Sequence, residues 1–221
     1  MALPKEPRQK MINIMYLVLT ALLAINISAE ILNAFKTINE SLEKTNTAVN
    51  ASTTQILASL NQKLSDPATR DRASVWKPKA DSVTGYAKEA YDFIDNLKKE
   101  IIAASTSGGK LKEDDQNATT RILVKEGKGK QLLEILKKYK GGVLGTDTLI
   151  NNEFANNFAV NLDPPKSQNS NKKTWEEAYF YMSPTVGALS ILSKFQNDVR
   201  TSENKVVTFC HEQVGKVEVV F

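Results

Sequence analysis

Cysteine and histidine are nearly missing, with one of each, Cys210 and His211, in 221 residues. A lone thiol excludes a disulfide framework, and one thiol beside one imidazole cannot build a Cys/His zinc site. Any nucleophile–imidazole pair would have to use His211 itself. Glycine is also sparse, at 10 residues. Its pairs Gly108-Gly109 and Gly141-Gly142, and the Gly127–Gly129 spacing, match neither a P-loop nor a dinucleotide turn. An excess of one charge is lacking too. The 29 basic and 25 acidic side chains leave a net +4, of which residues 1–10 supply +2. Such a balance offers no electrostatic footprint for nucleic acid. Clusters such as Lys137-Lys138-Tyr139-Lys140 and Lys172-Lys173 read as solvated faces. The remainder, 41% hydrophobic and 24% charged, is ordinary for a folded chain. These absences argue against an enzyme, and neither a cofactor nor a metal is expected.

What the chain does have is one long run without charge. Residues 11–29, MINIMYLVLTALLAINISA, would rise roughly 28 Å as a helix, close to the thickness of a bilayer core. Lys5, Arg8 and Lys10 precede the run and only Glu30 closes it, which predicts a cytoplasmic N-terminus and an exported remainder. A cleaved signal peptide is the rival reading. Its apolar region is usually shorter and ends at a small-x-small site, and the sequence Ile25-Asn26-Ile27-Ser28-Ala29-Glu30 offers no good one. Asn13, Thr20 and Asn26 lie about a heptad apart and share a face. They either bond to nearby backbone or mark a stripe facing other transmembrane helices.

Beyond the span the pattern is helical. Phe35, Leu42, Val49 and Ile56 recur every seven residues, with Ile31, Ile38, Leu60 and Leu64 on the same face, so the membrane helix is expected to run on. Asp66-Pro67 reads as a stop followed by a new start. Residues 67–105 form the next helix, bent at Pro78, with Val75, Val83, Tyr86, Tyr91, Phe93, Ile94, Leu97, Ile101 and Ile102 on its apolar side. A loop at Gly108-Gly109 leads to shorter helices at 118–126, 129–139 and 148–157. Residues 161–174 are a polar loop. From Ser183-Pro184 a last helix carries Val186, Leu189, Leu192, Phe195, Val199, Val206, Phe209 and Cys210 to about Val214. Residues 216–221, KVEVVF, then alternate like the start of a strand, implying a following β-rich region. The expected fold is all-α. A short cytoplasmic piece (1–10) and a transmembrane helix (11–29) continue into a helical-bundle domain (30–215). Cys210 falls on the apolar phase of its helix and His211 has no ligand neighbours. Asp81-Ser82-Val83 and Asp147-Thr148-Leu149 have the form of short O-glycosylation signals, or of plain surface turns.

Pro7-Arg8-Gln9-Lys10-Met11-Ile12-Asn13, followed by Met15-Tyr16-Leu17-Val18, resembles the start of the GldM/PorM family. Residues 184–200, PTVGALSILSKFQNDVR, resemble the last helix of that family's first periplasmic domain. The two blocks cover roughly the first 35 residues and 30 near the end; between them the match is one of length and helical character. The resemblance implies a motor subunit of the gliding and type IX secretion machinery. It also implies a homodimer whose membrane helices sit inside a ring of the polytopic partner GldL, driven by the proton motive force. Later periplasmic domains would carry the work to outer-membrane components of the apparatus. By the same resemblance Arg8 would pair with an intramembrane carboxylate of the ring, whereas sequence alone also allows it a purely topological role, as for Lys10. Tyr16 and Asn13 would either contact the ring or, like an interface side chain, reach the headgroups. Thr20 and Asn26 would complete the partner-contacting set. The alternative is a membrane-anchored sensor or scaffold ectodomain without energy coupling.

Overall fold

The computed structural model describes residues 7–25, 28–165 and 174–216, and the side chains of all of these except 21–25. Helix α1 (Pro7–Ile25) is followed by α2 (Ala29–Ser65), α3 (Arg70–Ser105), a two-stranded hairpin of β1 (Thr106–Ser107) and β2 (Lys110–Leu111), α4 (Gln116–Thr119), a π-helical segment (Thr120–Lys125), α5 (Lys128–Leu144), α6 (Thr148–Phe154), α7 (Trp175–Phe180) and α8 (Thr185–Gly215). The all-α expectation holds, with the small hairpin as its one departure among the described residues.

Three long helices, α2, α3 and α8, form a rod. α3 carries its buried side chains at a sustained seven-residue spacing, Ala73, Ala80, Ala87, Ile94 and Ile101, with Val83, Ala90 and Leu97 on the second line. That is the heptad pattern of coiled-coil packing. The small residues at one end let the neighbouring helices come close there. Contacts between α3 and α8 run in opposite directions: Ser105 meets Thr185, Lys98 meets Ser193, and Arg72 donates to the Lys216 carbonyl. Contacts between α2 and α8 run in the same direction, from Phe35 with Ser190 to Ser59 with His211. Hence α2 and α8 are parallel, α3 returns between them, and the chain enters at one end of the rod and leaves at the other. At 1.5 Å per residue, the 37 residues of α2 set its length at about 55 Å.

Of the short helices, α4 and α5 pack along α3, and α6 and α7 pack against α5. Trp175, Tyr179 and Phe180 of α7 form an aromatic cluster with Phe195 of α8, its ring centroids 4.7–6.2 Å apart. Gly142 sits inside α5 because a Cβ there would meet the Tyr86 ring at 2.9 Å. Gly129 is tighter still. Its Cβ would lie 2.6 Å from the backbone oxygen of Leu123, which cannot swing aside. Gly129→Ala is therefore expected to lower stability by about 2 kcal/mol through overpacking. Gly141→Ala, with open space at the same distance, serves as the control in a urea titration.

Several sequence expectations are corrected. α2 does not continue α1: Ser28 adopts an extended backbone (φ −66°, ψ 148°) and its hydroxyl accepts the Ile31 N–H, capping a new helix. Two residues of the expected 11–29 span, 26 and 27, lie outside the described residues, and among the described residues no helix is long and apolar enough to cross a membrane. The uncharged part of α1, residues 11–25, rises only about 22 Å. α3 starts at Arg70, because Asp66 holds residues 67–69 in a turn by accepting the N–H groups of Thr69 and Arg70 at its carbonyl. Pro78 lies within α3, as expected of a helix that continues through it. Val75 and Ile102, placed on the apolar face, are exposed, as are Ile31 and Ile38 on α2. The alternating residues 217–221 lie outside the described residues.

Candidate functional site: the N-terminal helix and the polar seam

Every side chain described on α1, residues 7–20, is exposed. Its large apolar groups, from Met11 to Leu19, are between 40% and 73% exposed and face all directions. A helix that is hydrophobic all round does not stand bare in water, so something outside the described chain must cover it. Arg8 and Lys10 lie in its first turns, with Asn13, Tyr16 and Thr20 along one side. The Thr20 hydroxyl donates to the Tyr16 carbonyl at 2.6 Å, which satisfies it within the helix. That is the first of the two readings of the polar stripe. Asn26, the last member, lies outside the described residues.

A second group of polar residues, absent from the sequence expectations, joins the three rod helices. On α8, Ser190, Asn197, Asn204 and His211 repeat every seven residues and face α2. The Ser190 hydroxyl donates to the Phe35 carbonyl, Asn197 donates to Asn46 at 3.0 Å, Asn204 to Thr53 at 3.1 Å, and His211 pairs with Ser59 at 2.9 Å. Asn46 and Thr53 are buried on the same seven-residue spacing as Leu60. A hydrogen-bonded ladder of this kind fixes register between parallel helices, because a shift by one turn would leave every rung unpaired. The signal was in the sequence, as a heptad of Ser, Asn and Thr running beside the apolar one.

Two buried charges reinforce the seam. Lys98, only 8% exposed, donates to Glu43 at 2.7 Å, Ser193 at 2.7 Å and Gln196 at 3.3 Å, tying all three helices at one level. Further along, Glu203 is 1% exposed and accepts from Arg200 at 2.8 Å. The Arg200 guanidinium stacks 4.2 Å from the Tyr91 ring on α3, and its Nε is buried without a hydrogen-bond partner. Burial raises the Glu203 carboxyl above its ordinary value, and the Arg200 charge opposes that rise. Asp198 is likewise raised by burial against the pull of Lys194. The Tyr139 hydroxyl, buried between the Val199 carbonyl and Ser202, is raised for the same reason.

Burial pushes the Cys210 thiol up to about 12, which leaves it inert and in keeping with its place in the core. Burial and the nearby Lys63 lower His211. Its bond to Ser59 makes it the last rung of the ladder. In the two glycosylation-like triplets Ser82 and Thr148 are both exposed. Asp81 is paired with Lys77, and Asp147 with Lys79 while it caps α6.

The geometry describes an elongated helical domain that the chain enters at one end and leaves at the other. Residues 30–212 match the family model described as GldM N-terminal domain, so the chain belongs to that family. Membership ties it to gliding motility and type IX secretion. The matched range spans α2 to α8 and contains the 184–200 block, while the motif around Arg8 lies before it. No curated protein matches the chain.

Proposed function

We propose that the chain is the single-span subunit of a proton-motive-force-driven motor in the bacterial inner membrane, with its N-terminus cytoplasmic and the rod in the periplasm. It does no chemistry on a substrate; it transmits work. The observation that carries this reading is α1, whose apolar side chains are uncovered on every side. Lipid and a ring of partner helices supply that cover, and Lys10 adds to its reach by extending to the headgroups. Two copies of α1 lie within a ring of the polytopic subunit GldL, and Arg8 engages an acidic side chain in the ring. Protonation of that carboxylate releases the contact, and one charge moved through the potential supplies about 2.3 kcal/mol per 100 mV.

The rod suits this task. Force applied to α2 passes in parallel into α8, through rungs that resist sliding, and leaves at the far end toward later domains and the outer-membrane parts of the apparatus. Purification of the tagged chain from its native membrane in mild detergent tests the reading. A multi-span protein with an acidic residue in a bilayer segment is expected to accompany it. Recovery of the chain with no membrane protein would overturn the proposal.

A further inference from the structure

Chain length fixes where the rod can stand once α1 spans a bilayer, and the inference rests on that reading. With Lys10 at the cytoplasmic headgroups, the uncharged residues 11–25 climb about 22 Å. Four Cα-to-Cα steps then separate Ile25 from Ala29, the first residue of α2. Whatever their path, they reach no more than about 14 Å. The hydrocarbon core is about 30 Å thick, and the headgroup layers bring the bilayer to about 40–45 Å. The first turn of α2 therefore lies in the headgroup layer or deeper, even with the connection fully drawn out. A tilt of α1 only brings it lower.

Hydrogen bonds show what else stands at that level. Ser190 on α8 donates to Phe35 on the parallel α2, so Thr185 is level with Glu30. The Thr185 hydroxyl donates to Ser105, which brings the last turn of α3 there as well. Around this end Ile31 on α2, Ile102 on α3, and Tyr181 and Met182 just before α8 are 41–50% exposed. Tyr181 and Met182 adjoin Ala104, near the end of α3. Large exposed apolar side chains are scarcer along the rest of the rod. Among the described residues beyond α1, the others are Ile38, two turns up α2, and Val75 and Leu149 in the far half.

The charges of this end favour neither sign. Lys110 and Lys112, in and just after β2, are exposed, and so are Glu30 and Asp114. Lys36 is spent on Glu113 at 2.5 Å. A strongly acidic or basic partner would call for an excess of the opposite sign. Apolar side chains and a tyrosine at one level, on separate elements and with lysines among them, are instead the composition of a membrane–water interface.

We propose that this end of the rod is a lipid-contact surface, in which Ile31, Ile102, Tyr181 and Met182 form a collar seated in the headgroup layer around α1. The rod is then braced against the bilayer rather than hinged freely above it. Apolar insertion holds it, so the seat does not depend on anionic lipid.

Spin labels on the full chain in phosphatidylethanolamine–phosphatidylglycerol vesicles test it. Cys210 is buried, so Ile31→Cys, Ile102→Cys and Met182→Cys each carry one label, at an exposed position that leaves the fold intact. Circular dichroism verifies the fold. Collision with oxygen, which enters lipid, is compared with collision with a water-soluble nickel complex. That ratio is expected to be at least threefold higher at these positions than at Val75→Cys and Leu149→Cys, in low and high salt alike. Leu17→Cys reports on α1. If Leu17 lies in lipid and the collar matches the far positions, the proposal falls and the motor reading stands. If Leu17 too meets the nickel complex as freely as the far positions, the membrane reading falls and the proposal with it. Collar labels shielded from both reagents would show a protein cover, and a ratio that collapses in high salt would show electrostatic attachment. Either result overturns the proposal.

Discussion

Arg200→Ala is expected to lower the melting temperature of the domain by roughly 10 °C. Glu203 is almost wholly buried, and its only cationic partner among the described residues is Arg200. Removing one member of a buried pair leaves the other charge uncompensated, at a cost of about 3 kcal/mol or more. For a domain of this size each kcal/mol moves the midpoint by roughly 2–4 °C. The loss of the Tyr91 stacking adds to the effect. The pH dependence follows from the same pair. The folded-state pKa of Glu203 is raised, so its contribution favours folding at acid pH and is lost as pH rises through the folded value. Arg200→Ala takes away the opposing influence and raises that value further. The variant should therefore lose stability more steeply than the parent between mildly acidic and neutral pH. Replacing both residues by Met and Leu should restore most of the loss, because an apolar pair of similar volume costs little at such a site. Thermal unfolding of the double-mutant cycle at two pH values measures all three effects.

Arg8→Ala and Arg8→Glu are expected to abolish secretion and gliding while the complex still assembles. In the proposed motor the guanidinium is the one fixed charge that the ring carboxylate can grip in low dielectric, where such a pair is strong. Without it the proton changes the ring but moves nothing. Arg8 lies exposed at the start of α1, so its loss disturbs no contact within the described chain. Lys10→Ala should have a far smaller effect, since topology survives on the remaining basic residues. Secretion assays together with pull-down of the ring subunit separate coupling from assembly. Unimpaired secretion in both Arg8 variants would remove the coupling role from this residue.

Long apolar periodicity made the helices legible, and the small or polar residues hid the rest. α8 and the central part of α3 follow directly from their repeats. The α3 core, however, uses alanines at 73, 80, 87 and 90, while the larger Val75 and Ile102 remain outside. Side-chain size is a poor guide where helices approach closely. The hairpin was legible in retrospect: Gly108 and Gly109 both take positive φ, as the tight turn between β1 and β2 requires. α7 announces itself by Thr174 and Glu177, which form a reciprocal capping box. The break at Ser28 was masked by the apolar residues on both sides of it. The polar seam escaped because Ser, Thr and Asn in a helix suggest solvent, whereas here they pair across a buried interface. For the candidate site, the sequence located the α1 residues but could not say that they stand uncovered, which is a property of the whole fold.

The most direct test of the account is the intact mass of the mature protein, taken from membranes washed at high pH to strip peripheral proteins. A chain that keeps α1 and stays in the washed membrane is the predicted result. A protein released in soluble form and beginning near Ala29 would contradict it, because the rod would then have lost the helix through which it is driven.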